Sequence, residues 1–111
     1  MEILHLTGPA PLYTNTFLVL DGAGTAVAVD PAADAQAYLA QLEKHGAKLA
    51  AILLTHGHAD HSGNAYYLHE KTGAPVRAHA DCARYVSEGD TAAIALEGAI
   101  RAGLYPPDYR F

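Results

Sequence analysis

Short apolar-rich runs over Glu2–Leu6, Asn15–Asp21 and Thr25–Asp30 predict three β-strands near the start of the chain. Pro9 and Pro11 keep the Thr7–Thr14 segment out of the first strand, and Gly22-Ala23-Gly24 gives the next two the punctuation of a hairpin, which Pro31 ends. From Asp34 to His45 the period changes. Ala35, Tyr38, Leu39 and Leu42 recur at helical spacing, Gln36, Gln41, Glu43 and Lys44 take the other side, and Gly46 suits the stop. This predicts a helix that covers a sheet with one face. Leu49–Thr55 follows as an unbroken apolar run, the pattern of a strand buried on both faces.

A strand, a helix and a second strand make a βαβ unit. Its right-handed crossover sets the two strands parallel and brings their carboxyl ends to one edge, with Asp30 beside the residues that follow Thr55. A further helix is expected from about Asn64 to Thr72, with Ser62 as its cap and Gly73 as its stop. A short parallel strand over Pro75–Ala78 would place His79 on the same edge. Helices over Ala80–Ser87 and Thr91–Ala102, the latter capped by Asp90, precede a tail of prolines and aromatics, Leu104–Phe111. The class is α/β: a mixed sheet in which a β-hairpin leads into β-α-β-α-β units and C-terminal helices. No repeat or low-complexity tract interrupts it.

Composition narrows the function classes. The 111 residues fit one domain, half of them are hydrophobic and 17% are charged, which favours a folded chain over a disordered one. Seven scattered Lys and Arg against twelve Asp and Glu leave a net charge of -5 and no basic stripe, so nucleic acid is a poor partner. No apolar run approaches a membrane span, and the chain opens without the features of a secretory leader. The one cysteine, Cys82, allows no intrachain disulfide. A cytoplasmic protein is expected.

The chemistry concentrates in Thr55-His56-Gly57-His58-Ala59-Asp60-His61-Ser62-Gly63, directly after the apolar strand. Imidazole nitrogen and carboxylate oxygen suit zinc, iron or manganese, and His56, His58, Asp60 and His61 supply three of the first and one of the second. His56 and His58, two apart, fall on one side of an extended backbone, while Gly57 helps the turn that brings Asp60 and His61 round. So short a loop strains to give one tetrahedral ion all four groups. Two adjacent ions, or one ion with the other groups orienting water, are the arrangements left open.

These nine residues resemble the HxHxDH signature of the metallo-β-lactamase-fold hydrolases, closest to their glyoxalase II-like members and to the neighbouring persulfide dioxygenases. Asn15–Leu20, Ala28-Val29-Asp30-Pro31 and Thr72–Val76 extend the resemblance over most of the chain. The resemblance implies an αββα-type fold of which residues 1–111 form the N-terminal half. It implies that His56 and His58 hold a first metal, that Asp60 and His61 hold a second, and that the cofactor is zinc as two ions in the complete fold, with iron or manganese as substitutes. Family members take a further His, a bridging Asp and a last His from downstream segments, none of which occurs before Phe111. The expectation is therefore a truncated domain.

Asp30 matches a family position as well. There it would hydrogen-bond a ligand imidazole and fix its tautomer, as carboxylates behind metal ligands do; the bland alternative is a turn cap before Pro31. His79 is read as an ordinary strand-end histidine and Cys82 as a small core residue. His5, His45 and His69 need no special role, and Tyr66 and Tyr67 are more simply packing residues than the lining of a substrate mouth.

The expected activity is glyoxalase II-like (hydroxyacylglutathione hydrolase-like) cleavage of a thioester or related acyl bond by metal-bound hydroxide, with Asp60 as the catalytic group that returns a proton to the leaving group. The alternatives are a non-catalytic metal-binding half-domain and an iron enzyme of the persulfide dioxygenase kind. A half-domain would leave one apolar sheet face open for a second copy or a C-terminal half.

Overall fold

The computed structural model describes residues 1–10, 12–88, 95–101 and 103. Strands β1 (Glu2–Thr7), β2 (Asn15–Leu20), β3 (Thr25–Val29), β4 (Lys48–Leu54) and β5 (Val76–Ala78) form one sheet in the order β1-β2-β3-β4-β5. β2 and β3 pair antiparallel and β3–β4 and β4–β5 pair parallel, as the hairpin and the βαβ crossover predict, and β1 adds to β2 in the antiparallel sense. Helix α1 (Ala35–His45) joins β3 to β4. Its start is capped by the Asp34 carboxylate, which accepts from the Gln36 N–H at 2.8 Å, and its end by Gly46 at φ 59°. Asp21 holds the hairpin turn by accepting from the N–H groups of Ala23 and Thr25, and these two bonds keep its carboxyl below the usual carboxylate range.

Where one helix was expected after the ligand loop, the chain makes two. A single turn, α2 (Ala59–Ser62), precedes α3 (Ala65–Thr72), and Asn64 rather than Ser62 stands at the start of α3. The Ser62 hydroxyl turns back to the carbonyls of Gly57 and His58, at 3.3 and 3.2 Å, and so closes the loop it follows instead of opening the next helix. Helices α4 (Ala80–Glu88) and α5 (Leu96–Arg101) come last. The rest of the expected 91–102 helix, its Asp90 cap and the 104–111 tail lie outside the described residues. No described helix is long and apolar enough to cross a membrane.

The core lies on one face of the sheet. Leu18, Leu20, Ala26, Ala28, Leu49, Ile52 and Leu54 meet Tyr38 and Leu42 of α1, Ala65 and Leu68 of α3, and Cys82 of α4. Each large apolar side chain buried here contributes about 1.5–3 kcal/mol. On the other face Ile3, Phe17 and Leu53 remain 58%, 36% and 40% exposed, so β4 is apolar on both faces but covered on one among the described residues. A register shift between Ala26 and Val27, opposite Ala50, also breaks the alternation of β4.

One buried polar node ties the elements under the site. Thr16 Oγ1 donates to the Val29 carbonyl at 2.9 Å, so the Tyr38 hydroxyl must donate to Thr16 Oγ1, and the Tyr38 oxygen accepts from the Ala33 N–H at 3.3 Å. Burial pushes the Tyr38 phenol up to about 12, opposed by its bonds to Thr16 and Ala33. In an unfolded chain the same phenol ionises near 10. Its contribution is thus fully present below pH 10 and is lost as pH rises through 12, by up to about 3 kcal/mol. Denaturant unfolding at pH 8 and pH 11 should show a smaller alkaline loss for Tyr38→Phe than for the unaltered chain. At pH 8 the variant should be less stable by about 1–2 kcal/mol, because the Ala33 N–H loses its acceptor.

Candidate metal centre

Two loops at the carboxyl ends of β3 and β4 build the site. The first runs from Asp30 to Ala33. Asp30 adopts φ 47°, a left-handed conformation that Asp tolerates better than most residues, and is 6% exposed. Its backbone N–H donates to the Leu53 carbonyl at 2.9 Å, which fixes the turn against the end of β4. The second loop runs from Thr55 to Asn64. Asn64 joins it to the first, through its N–H to the Pro31 carbonyl at 3.1 Å and its side-chain amide to the Ala32 carbonyl at 3.3 Å.

Asp30 takes three hydrogen bonds from the second loop. Oδ1 accepts from the Thr55 N–H at 2.7 Å, and Oδ2 accepts from the Thr55 hydroxyl and from His61 Nδ1, the latter at 3.1 Å. With Nδ1 as the donor, the lone pair of His61 is on Nε2. That nitrogen stands 3.5 Å from Asp60 Oδ2. The His61 ring lies 3.8 Å from the His56 ring, and His56 lies 4.9 Å from His58 in an edge-on contact. Of the four residues that the loop pattern singled out, His56, Asp60 and His61 lie side by side, whereas His58 is exposed and meets the cluster through the His56 ring.

The donor set fits a divalent ion. Two ligands about 2.0–2.1 Å from a tetrahedral zinc stand roughly 3.3–3.4 Å apart, close to the separation of His61 Nε2 and Asp60 Oδ2. Asp30, His56 and His61 also each offer one ligand atom within 4.8 Å of one another. The three donors already on Asp30 favour its use as an anchor for His61 over direct ligation. Partial burial holds the His56 imidazole below its usual range, and the neighbouring His61 and His58 act in the same direction, against opposing pulls from Asp30 and Asp60. A neutral imidazole is the form that binds metal.

Gly57 lets the ligand loop lie against α4. A Cβ there would come within 3.3 Å of Val86 Cγ2 and 3.4 Å of Cys82 Sγ, so Cys82 is core, as expected, and serves as part of the floor of the loop. Burial raises its thiol pKa. His79 is 78% exposed, with Asp81 as its neighbour at 3.9 Å. His5 bonds Asn15 at 2.7 Å and His69 bonds the Ala74 carbonyl at 2.8 Å, consistent with their structural reading. The partners that sequence reasoning missed are the two threonines. Thr55 grips Asp30, and Thr14, 9% exposed, donates from Oγ1 to Asp60 Oδ2 at 2.6 Å.

Comparison with known proteins bears on this geometry. The family described as Metallo-beta-lactamase superfamily matches residues 9–109. The chain is 41% identical over 95 residues to a hydroxyacylglutathione hydrolase of Anaeromyxobacter dehalogenans, a match covering 82% of this chain and 36% of that one. Among solved structures it resembles the BLEG-1 B3 metallo-beta-lactamase, with a TM-score of 0.70 and 28% identity over 77% of this chain and 40% of that one. It also resembles TTHA1623 in a di-iron-bound form, with a TM-score of 0.68 and 35% identity over 85% and 46%. The chain thus spans less than half the length of these relatives.

Proposed function

The chain belongs to the metallo-beta-lactamase superfamily, and from that premise we propose that it is the metal-gripping half of a glyoxalase II-like hydrolase that cleaves a thioester or related acyl bond. The observation that supports this reading is the juxtaposition of His56, His61 and Asp60 beside Asp30, with His61 Nε2 and Asp60 Oδ2 spaced as two ligands of one ion and His58 against the His56 ring. His56 and His58 hold one metal position, and Asp60 and His61 hold a second or orient the attacking water. Zinc is the cofactor proposed. A bound divalent cation supplies a water whose pKa is lowered to about 7 and a positive charge facing the oxyanion that develops on the substrate. Asp30 keeps the His61 proton on Nδ1, and Asp60 carries a proton to the departing thiolate. A cytoplasmic location is consistent with a single cysteine that is buried and free.

The decisive trial is turnover of an acyl thioester by the metal-restored protein, compared with His58→Ala and Asp60→Ala. Both variants should lose the activity, and equal rates in all three would remove the enzyme reading. A second reading, a half-domain that binds metal without turnover, is favoured by the exposed row of Ile3, Phe17 and Leu53. It predicts zinc uptake without turnover and a self-associating chain in light scattering. A redox enzyme using iron draws support from the likeness to a di-iron-bound structure, and oxygen consumption by the iron-loaded protein distinguishes it.

A further inference from the structure

The loop before β2 reaches the metal-ligating turn through the side chain of Thr14. It is closed by the Gly8 N–H donating to the Thr14 carbonyl at 2.8 Å and braced by the Tyr13 N–H donating to the Pro9 carbonyl at 3.1 Å. Tyr13 sits at φ 49°, an uncommon conformation for a bulky residue, and Asp30, the anchor of His61, has φ 47°. Backbone strain of this kind persists where the surrounding structure enforces it, and it clusters at functional sites. The strained residue in the loop before β2 stands directly before Thr14, whose hydroxyl is 2.6 Å from Asp60 Oδ2 across 46 residues of sequence.

We infer that Thr14 is a positioning residue for Asp60, a role that rests on the metal-binding reading above. The hydroxyl donates to the same carboxylate oxygen that stands 3.5 Å from His61 Nε2. It takes one lone pair of Oδ2, fixes the rotation of the carboxylate, and leaves the remaining lone pairs for a cation shared with His61. The site then has two matched supports: Asp30 orients the imidazole from one loop, and Thr14 orients the carboxylate from the other. Loss of such a support costs 10–100-fold in metal affinity in comparable centres.

The test is zinc titration of the 111-residue chain by calorimetry, with circular dichroism on every variant. Thr14→Val, which keeps the shape and the main-chain bond to Gly8, should bind zinc about 10–100-fold more weakly. Thr14→Ser, which restores the hydroxyl, should return to within a few-fold of the unaltered chain. In an Asp60→Ala background Thr14→Val should have little further effect, because the hydroxyl acts through that carboxylate. Unchanged affinity in Thr14→Val, failure of Thr14→Ser to rescue, or an equal loss in the Asp60→Ala background would each overturn the role while leaving the metal-binding reading intact. Absence of zinc binding by the unaltered chain would overturn both.

Discussion

His61→Ala should emerge from dialysis nearly free of metal, while the unaltered chain loaded with zinc in parallel retains it. His61 is the residue on which the cluster converges: its Nδ1 is 3.1 Å from Asp30, its Nε2 is 3.5 Å from Asp60, and its ring lies against His56 at 3.8 Å. Its removal leaves Asp60 without the nitrogen beside it and frees the Asp30 carboxylate to face a cavity. The fall in affinity should exceed the roughly 10–100-fold expected for a residue that only supports a ligand, such as Thr14. His79→Ala, at an exposed position with Asp81 as its neighbour, should retain metal like the unaltered chain. Mass-spectrometric metal analysis checks both, and full retention by His61→Ala would remove the assignment.

Asp30→Ala is expected to have the largest effect on stability. The truncation removes the acceptor of the Thr55 N–H, the Thr55 hydroxyl and His61 Nδ1, three part-buried bonds that now end on the carboxylate. Each lost bond costs about 0.5–1.5 kcal/mol, since water can reach the part-buried donors, and an alanine forced to φ 47° adds roughly 1–2 kcal/mol that Asp partly avoids. A loss of about 2–4 kcal/mol should appear in denaturant unfolding, a large share of what a domain of this size possesses. Asp30→Asn separates folding from binding. Its amide oxygen can still accept from the Thr55 N–H, but its NH₂ faces His61 Nδ1, which must then accept, and the proton moves to Nε2. This variant should fold and bind zinc poorly. Tight binding by folded Asp30→Asn would show that the His61 tautomer is not held by Asp30.

Much of this site is legible along the chain because its signals are local. His56, His58, Asp60 and His61 lie within one turn, and the apolar run of β4 before them marks where that turn must emerge. The hairpin, α1 and the parallel crossover follow from periodicity and from Gly and Pro placement in the same way, and Asp30 beside the loop follows from the crossover. What composition and spacing do not carry is which distant hydroxyl meets which carboxylate. Thr14 and Asp60 are brought together by the closure of the loop before β2, and a Thr before an Asn-Thr strand start has no pattern that announces such a contact. Ser62 was misread as a helix cap for a related reason: its hydroxyl has two ways to serve the backbone, and the tight turn at Gly57 and His58 decides between them.

The sheet joins each strand to its immediate successor in the sequence. Thr14 and Asp30, the two supports of the ligand turn, both precede it, while the α4 floor under Gly57 comes later. A chain growing from its amino end has made both braces before His61 is joined to it. The contacts they make close over 46 and 31 residues, so the ligand turn is braced only once segments remote in the sequence have met, a slower event than closure of the β2–β3 hairpin.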